Sequence, residues 1–229
     1  MRAKSPLRSM KTMRATQGND ASRSRHETHL IVACFAVYNE ARTLGMAVNS
    51  VLGIVDKVVL VDGIWGTDES APSDDGTLKI IEDLRHAYPD TIRLIGAKSW
   101  RNEAEKREEY IEEIIGPDAE ASGLSIEDLI GDPLYDNFIL FFILDGDEAL
   151  FCGAEWLRLV QDSYPEERAF NIIIWNKGGP NTLHPRVYRP FSYRNLPQAR
   201  VTLPIVIEHL EYLRPAKRDL WRRAQYDKS

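Results

Sequence analysis

Two aspartates that follow the most apolar stretch of the chain are the residues best placed to do chemistry. Asp145 and Asp147 flank Gly146, and Glu148 follows directly. Carboxylates two positions apart on an extended segment can converge on one hard cation if the glycine lets the chain bend between them. The same Asp-Gly-Asp sequence is also ordinary turn chemistry at the end of a core strand. The residues alone leave both interpretations open.

The element that must position these carboxylates is a predicted central strand. Residues 138–144 are seven apolar residues in a row, which is typical of a strand buried on both faces of a mostly parallel sheet. In open α/β sheets, ligands bind at the carboxyl ends of such strands. We therefore expect Asp145 and Asp147 at a ligand-binding edge.

The first half of the chain predicts the rest of that sheet. Strands are expected at 29–37, 57–61 and 92–95, and helices at about 40–51, at 77–87 and from residue 103 onward. Residues 116–137 are expected to be irregular, apart from a short helix over 125–130. The alternation of strands and helices predicts an α/β fold with a doubly wound, mostly parallel sheet and helices on both faces.

The second half of the chain predicts a smaller, mixed β region that completes the sheet. A helix is expected over 155–164, followed by strands at 169–175, 184–189 and 201–207. Because proline cannot donate a ladder hydrogen bond, Pro204 predicts that the last of these strands lies at an edge.

Polar residues also follow the first two predicted strands. Tyr38, Asn39 and Glu40 come after the first strand, and Asp62 ends the second. A long acidic loop over 63–76 comes next, and long loops at the carboxyl edge of a sheet commonly carry function. A helix-start charge at Glu40 and a simple turn at Asp62 are the alternatives.

Composition narrows the class of protein. The chain has 229 residues, 43% hydrophobic and 28% charged, which is ordinary for a soluble enzyme with one large domain. The net charge of −6 and the pI near 5.5 argue against a nucleic-acid-binding protein. Cys34 and Cys152 predict reduced core thiols in a cytoplasmic protein. No apolar stretch approaches the roughly 20 residues of a membrane span, and the N-terminus lacks a signal-peptide pattern.

We expect the chain to have three parts: a basic arm over 1–28, a single domain over 29–212 and a basic tail over 213–229. The arm is rich in Ser and Arg and too poor in apolar residues to bury a core, which predicts disorder. The tail carries Leu220 and Trp221 among Arg and Lys, as an interfacial segment does. Peripheral contact of the basic termini with an anionic membrane is one interpretation, and solvated ends are the other.

Three strand-end motifs together resemble a known family. They are VACFAVYNE, then VVLVDG about twenty residues later, then the apolar strand that ends in Asp-x-Asp-Glu. In order and spacing they resemble the family 2 glycosyltransferases with the glycosyltransferase A fold, over roughly residues 29–190. The resemblance implies a UDP-, GDP- or dTDP-sugar donor and a Mn²⁺ or Mg²⁺ ion. It also implies a hydroxyl acceptor on a glycan, lipid or protein.

For the nucleoside, the resemblance implies a binding half over 29–148. Tyr38, Asn39 and Glu40 match the motif that contacts the base and ribose. Asp62 matches the acidic residue that lies beside them.

For the diphosphate, the resemblance implies a metal site with basic residues nearby. Asp145 and Asp147 match the DXD pair, in which one carboxylate reaches the ribose or the metal through water and the other binds the metal. Lys106 and Arg107 fall where the family has a basic helix, and with the cation they would stabilise the departing diphosphate. Ordinary pairing with glutamates one helical turn away is the alternative.

The region 149–212 would then form the acceptor half. His184 and Arg186 lie on the polar face of a predicted strand that could point toward the diphosphate. Trp65 could stack on a sugar ring or simply anchor the long loop. His209 could complete the metal's ligand set, and Glu208 could deprotonate the acceptor hydroxyl. An ordinary surface pair at a strand end is the alternative.

The resemblance weakens where the catalytic base should be. The family's Gly-Gly segment, followed by a helix that begins with an acidic pair, is not evident, and Asn176-Lys177-Gly178-Gly179 is only a faint echo. The prediction is therefore a hexosyltransferase-like enzyme for which inversion or retention stays open. The alternatives are a sugar-nucleotide-binding module without catalysis and a nucleotidyltransferase. A nucleotidyltransferase would require a Gly-rich basic loop after the first strand, and Tyr38-Asn39-Glu40 is not such a loop.

Overall fold

The computed structural model describes residues 29–66, 70–190, 193, 199–210 and 213. Its elements in chain order are β1 Leu30–Val37, α1 Leu44–Val51, β2 Lys57–Asp62, α2 Thr77–Ala87, β3 Ile92–Ile95, α3 Glu103–Ser122, α4 Ile126–Gly131, α5 Pro133–Phe138, β4 Ile139–Asp145, β5 Glu148–Cys152, α6 Glu155–Ser163, β6 Ala169–Asn176, β7 Thr182–Tyr188 and β8 Val201–His209. The strands form one sheet in the order β3-β2-β1-β4-β7-β6-β8-β5.

The strands β3, β2, β1 and β4 form a parallel half of the sheet, as predicted. β1 pairs with both β2 and β4, and β2 pairs with β3, all in parallel. The central strand is buried on both faces, because every residue from Ile139 to Leu144 is buried. A continuous apolar run folds this way since helices cover both sides of it.

The other half of the sheet is mixed, as the second half of the chain predicts, so the description of the sheet as mostly parallel holds only in part. β4 pairs with β7, β7 with β6, and β5 with β8 in antiparallel fashion, and only β6 and β8 are parallel. The physical reason is the length of the connections. β6 and β7 are joined by a short turn through Gly178 (φ 81°), and a turn of that length can connect only antiparallel neighbours.

Helices lie on both faces of the sheet and form two cores. Residues of α1, α2 and α6 pack with the side chains that one face of the strands presents, including Phe35 and Ile174. Residues of α3, α4 and α5 pack with the opposite face, where Cys34 and Phe141 lie. The chain is therefore a mixed α/β fold built around one curled sheet.

Several element boundaries differ from the sequence prediction. α3 continues through Gly116 and Pro117 to Ser122 and ends at Gly123, which has a left-handed backbone. At its start, the side chain of Asn102 caps the helix by accepting a hydrogen bond from the Glu105 amide (2.9 Å). Two short elements, β5 and α5, were not predicted at all. α1 begins only at Leu44, after a turn over residues 40–43.

Pro204 does not mark an edge strand. β8 pairs with β6 on one side and β5 on the other, so that β5 is the edge. The register of β6 and β8 shifts around Pro204, and a bulge tolerates proline because it leaves a residue outside the ladder. Gly153 lies against this bulge: a Cβ there would be 2.2 Å from the Pro204 carbonyl oxygen.

Cys34 is buried, as expected, but Cys152 is exposed, and both thiols are free. Within the described ranges, no helix is long and apolar enough to cross a membrane. The predictions for the basic arm, for Leu220 and for Trp221 fall on residues outside the described ones. The proposed domain boundaries stay predictions.

Candidate functional site

Polar side chains gather at the carboxyl edge of the sheet. β1, β2 and β4 are parallel, and two antiparallel steps through β7 bring β6 back to the same direction. β8 is parallel to β6. Asp62, Asp145, Asn176 and His209, which end four of these strands, therefore lie along one edge.

Two arginines converge on the carboxylate of Asp145. Arg107 Nη2 lies 2.8 Å from Asp145 Oδ1, and Arg186 Nη2 lies 3.3 Å from Oδ2. The three side chains are only 14–17% exposed. Charge-assisted bonds of this kind are about twice as strong as neutral ones, so the arginines hold Asp145 in a fixed orientation.

The local structure explains how both arginines reach the same carboxylate. Arg107 lies one turn into α3, where Glu103 Oε1 also accepts a bond from its Nη2 (2.5 Å). Arg186 is the extra residue of a bulge in β7, because Phe170 pairs with Val187 while Asn171 pairs with Pro185. Bulges re-aim side chains, and this one aims Arg186 at the end of β4.

The electrostatics of the two arginines follow from their surroundings. Burial alone would lower the pKa of Arg107, but Asp145 and Glu103 raise it well above its ordinary value. For Arg186, burial likewise acts to lower the pKa, while Glu148 and Asp145 raise it. Both guanidinium groups are thus charged. Their Nε atoms are buried without a hydrogen-bond partner in the described part of the chain.

Asp147, Glu148 and His209 form the second part of the cluster. Asp147 is wholly buried, and its Oδ2 lies 3.4 Å from Nε2 of His209. Glu148 is paired with Arg186 (2.6 Å) and accepts a bond from the Asp145 amide (2.9 Å). Burial raises the pKa of Glu148 to about 7. Three carboxylates within four positions share this buried space with one histidine.

His209 reaches the cluster because β8 ends beside the Asp-Gly-Asp turn. His209 is the register partner of Glu148 in β5 and of Asn176 in β6. Its Nδ1 lies 3.2 Å from Asn176 Oδ1. The next backbone amide, that of Leu210, donates to the Asp147 carbonyl (2.7 Å).

Gly146 fits the turn because Glu40 packs directly on it. A Cβ at Gly146 would lie 2.8 Å from Cγ of Glu40. Glu40 is buried, with its Oε2 accepting a bond from Thr43 Oγ1 (3.0 Å) and its amide donating to Thr77 Oγ1 (2.8 Å). In this structure Glu40 supports the turn, and its predicted contact with a nucleoside stays a prediction.

Asn39 and Asp62 are linked through Ser73 of the long loop. Ser73 donates to Asp62 from both its amide (3.0 Å) and its hydroxyl (2.5 Å). The same hydroxyl accepts the Asn39 amide (2.8 Å), and Asn39 has a left-handed backbone (φ 54°). Burial raises the pKa of Asp62, while Ser73 and Lys106 oppose the rise. Tyr38 is half-buried beside them.

Lys106 joins the parallel strands instead of facing the edge. It is buried, and its Nζ donates to two backbone carbonyls. One belongs to Val37 at the end of β1 (2.7 Å), and the other to Gly63 just after β2 (2.5 Å). The ammonium also lies 5.5 Å from the centre of the Trp100 ring. These contacts explain its burial, and its predicted role in nucleotide binding is left untested.

The remaining candidates lie around the cluster. His184 is exposed near the start of β7, where partial burial lowers its pKa and Arg186 lowers it further. Trp65 is half-buried against the core on the α3 side. Glu208 pairs in register with Ala149 and Trp175, so strand alternation puts it on the face opposite to that of His209.

Three residues of the site were given no role from the sequence: Ser73, Glu103 and Asn176. The spacing of Glu103 and Arg107 was visible, but it is shared by ordinary helix-surface pairs. Ser73 and Asn176 act through tertiary contacts that no local pattern encodes.

Asp147 and His209 are the two residues at the turn that could contribute ligands to a divalent cation. In the described part of the chain, no group of three or more His, Cys, Asp or Glu side chains is arranged to hold a metal ion. Both oxygens of Asp145 already contact arginine. Asp147 and His209 offer an oxygen and a nitrogen 3.4 Å apart, and one or two protein ligands with substrate phosphates suffice for Mg²⁺.

A cleft of about 480 Å³ opens beside Arg107, between α3 and β7. Its lining includes Glu103, Pro185, Tyr188 and Tyr193. Tyr193 donates from its hydroxyl to the Arg107 carbonyl (3.3 Å). Arg107 is the member of the charged cluster that lines this cleft, so a ligand in the cleft would lie against its side chain.

Two solved structures of S. aureus TarS are distantly similar to the chain. No family model and no curated protein matches the chain. S. aureus TarS 1-349 in complex with UDP-GlcNAc aligns over 67% of this chain and 36% of that one, at 13% identity and a TM-score of 0.45. S. aureus TarS 1-349 aligns over 70% and 47%, at 12% identity and a TM-score of 0.46.

The chain thus spans less than half the length of these TarS chains. Similarity at this level does not establish a common activity, so function must be inferred from the residues of the site.

Proposed function

We propose that the chain is a glycosyltransferase of the family 2 type that moves a sugar from a nucleoside-diphosphate donor to an acceptor hydroxyl. The observation that carries the proposal is the convergence of Arg107 and Arg186 on Asp145, beside Asp147 and His209, at the carboxyl edge of the sheet. Buried charges are costly unless they are paired. A site for a charged ligand explains why so many are gathered here.

The arginines suit the leaving group of such a reaction. When the bond between the anomeric carbon and the diphosphate oxygen breaks, the departing diphosphate gains negative charge. Guanidinium groups held in place before the reaction stabilise that charge without reorganising. Their planar donors match phosphate oxygens, and in the described structure both Nε–H groups are buried without a hydrogen-bond partner.

Asp147 and His209 would hold a Mn²⁺ or Mg²⁺ ion, which when bound supplies further positive charge to the diphosphate. Asn176 orients the His209 ring for this role. Asn176 lies against His209 Nδ1, which fixes the ring so that Nε2 faces Asp147. Second contacts of this kind orient ligating histidines.

The other half of the reaction concerns the acceptor. Its hydroxyl oxygen forms the new bond to the anomeric carbon, and its proton must pass to a base. We assign that role to Glu208, a carboxylate at the end of β8. At the nucleoside end, Asp62 and the loop that Ser73 anchors lie at the ends of β1 and β2, where they would receive the ribose and base.

The first test is nucleotide binding measured by calorimetry. UDP, GDP, dTDP and CDP are titrated with and without MnCl₂, and we expect one of them to bind. Arg107→Lys should weaken that binding at least tenfold, because lysine lacks the planar guanidinium donors that match phosphate oxygens. Arg158→Lys, which alters an exposed ion pair with Asp56, is the matched control and should bind as the wild type does.

Asp147→Asn tests the metal and the chemistry together. It should lose the Mn²⁺-dependent part of nucleotide binding and lower transfer, followed as released nucleoside diphosphate from a panel of nucleotide sugars, about 100-fold or more. Undiminished metal-dependent binding in an Asp145→Asn, Asp147→Asn double variant would contradict the metal site. Binding without turnover of any nucleotide sugar would favour the non-catalytic binding module.

A further inference from the structure

The face of the sheet that α3 covers is open at its far end. In β6, the even-numbered residues Phe170, Ile172 and Ile174 are buried in the core on the α1 side. The odd-numbered residues point to the other face, where Ala169 is buried but Ile173 is half-buried and Trp175 is 37% exposed. On this face, the side chains of β6 therefore become more exposed toward the carboxyl end of the strand.

Two aromatic side chains meet on this open face. The rings of Phe151 and Trp175 have centroids 5.7 Å apart and are tilted by 50°. Phe151 is 64% exposed, the largest exposure of the big apolar side chains in the described residues. Glu208 lies in β8, the strand between them, as the register partner of Trp175. We call Phe151, Trp175 and Glu208 the aromatic platform.

The aromatic platform lies close to the cluster around Asp145. β7 lies between β4 and β6 in the sheet, and the carboxyl ends of β4 and β6 lie along the same edge. Asn176, which contacts His209, follows Trp175 directly. A molecule on the platform would therefore lie beside a diphosphate held by the arginines.

The residue types of the platform point to one kind of ligand. A sugar ring offers an apolar face of C–H groups that packs on an aromatic ring, and its hydroxyls donate to a carboxylate. A membrane-binding face combines apolar side chains with basic ones, whereas the charged residue in register with Trp175 is acidic. The platform therefore favours a saccharide over a lipid surface.

We propose that the aromatic platform binds the acceptor and that the acceptor is a saccharide. Its ring stacks on Trp175 and Phe151, and the Glu208 carboxylate accepts a hydrogen bond from one of its hydroxyls. This inference rests on the proposed function and adds to it the chemical class of the acceptor. It also gives a reason for the exposure of two aromatic rings beside a buried charge cluster.

The test measures saccharide binding apart from catalysis. Cellobiose, chitobiose, lactose and maltose are the probes, each detected by saturation-transfer NMR in the presence of the nucleoside diphosphate. We expect at least one to bind, with an affinity that falls tenfold or more in Trp175→Ala and in Phe151→Ala. Trp175→Phe should keep part of the affinity because it retains an aromatic face.

Leu183→Ala is the matched control. Leu183 is 58% exposed and pairs with Ile173 on the same face, but an aliphatic side chain offers no ring for stacking. It should leave saccharide binding unchanged. If no probe binds, or if Leu183→Ala lowers binding as much as Trp175→Ala does, the acceptor assignment is overturned.

A further measurement separates this proposal from the one on which it rests. All platform variants should bind the nucleoside diphosphate as the wild type does, since none of the altered residues contacts Asp145 or its arginines. If the wild type binds no nucleoside diphosphate but binds a saccharide through Trp175, the proposed function is contradicted and the platform is a saccharide site of another kind. If the protein sediments with anionic liposomes and Trp175→Ala abolishes this, the platform binds membranes. That result would overturn the assignment of a saccharide to the platform.

Discussion

The parallel half of the sheet, β3-β2-β1-β4, and the antiparallel half, β7-β6-β8-β5, are built on different principles. In β1 and β4 nearly every residue is buried, because helices cover both faces. In β6 and β8 buried and half-exposed residues alternate, because one face is open. The parallel half is thus a closed layer suited to fixing strand ends, and the antiparallel half offers a surface.

The candidate site lies where the two halves meet. β4 and β7 pair only through Phe141 with Tyr188 and Phe142 with Val187, so the strands diverge before β4 ends at Asp145. Arg186 reaches across this gap, and Arg107 enters it from α3. A charged cluster can form here because the ladder that would otherwise fill the space is interrupted.

The largest expected effect is in the antiparallel half, from Gly153→Ala. Gly153 has φ 85°, and a Cβ there would be 2.2 Å from the Pro204 carbonyl oxygen, a backbone atom that cannot move aside cheaply. We expect the free energy of unfolding to fall by about 4 kcal/mol or more. Urea denaturation followed by circular dichroism measures it.

Gly178→Ala is the control for Gly153→Ala. Gly178 also has a positive φ (81°), but nothing lies within 4 Å of a Cβ there. It should therefore cost only the left-handed backbone energy, about 1–2 kcal/mol. Equal losses for the two variants would show that the bulge around Pro204 yields easily and that the antiparallel half is not tightly built.

The second expected effect concerns the junction, where Glu148 titrates. Its pKa is raised from 4.5 to about 7, chiefly by burial, so between these values the folded protein keeps a proton that the unfolded chain has lost. The contribution to stability is complete below about pH 4.5 and disappears as the pH rises through about 7. We expect a loss of about 3 kcal/mol between pH 5 and pH 8.

Two variants isolate the contribution of Glu148 from other groups such as Asp62, whose pKa is raised in the same direction. Glu148→Gln imitates the protonated acid and should flatten the fall in stability, as measured by urea denaturation at each pH. Glu112→Gln, on the exposed side of α3, should follow the wild type. If Glu148→Gln and the wild type lose stability in parallel, the carboxyl is charged throughout.

How far the sequence predicted this molecule differs between the two halves. The apolar runs that became β1, β2 and β4 are long enough to indicate buried strands, and their polar ends indicated the site edge. β5 was missed because Glu148–Cys152 is short and follows a tight turn. Arg186 was a candidate, but the bulge that aims it depends on pairing with β6, which no local pattern encodes.

Lys106 and Arg107 show the same limit within one helix. Adjacent helical residues point about 100° apart, and no local sequence pattern separates the roles of these two. In the structure Lys106 turns toward the ends of β1 and β2, while Arg107 turns toward Asp145. Only the position of α3 on the sheet decides which of the two reaches the cluster.

The smallest expected effect is in the parallel half, from Lys106→Met. Methionine fills much of the space but leaves the Val37 and Gly63 carbonyls without their charged donor. We therefore expect the free energy of unfolding to fall by about 2 kcal/mol. Lys98→Met, which removes an exposed ion pair with Glu109, should cost less than about 1 kcal/mol. Nucleotide binding, measured by calorimetry where both variants are folded, should change less than about threefold, since Lys106 bonds strand ends and Arg107 faces the cluster. Unchanged stability together with lost nucleotide binding would instead give Lys106 the direct role in the ligand site that the sequence predicted.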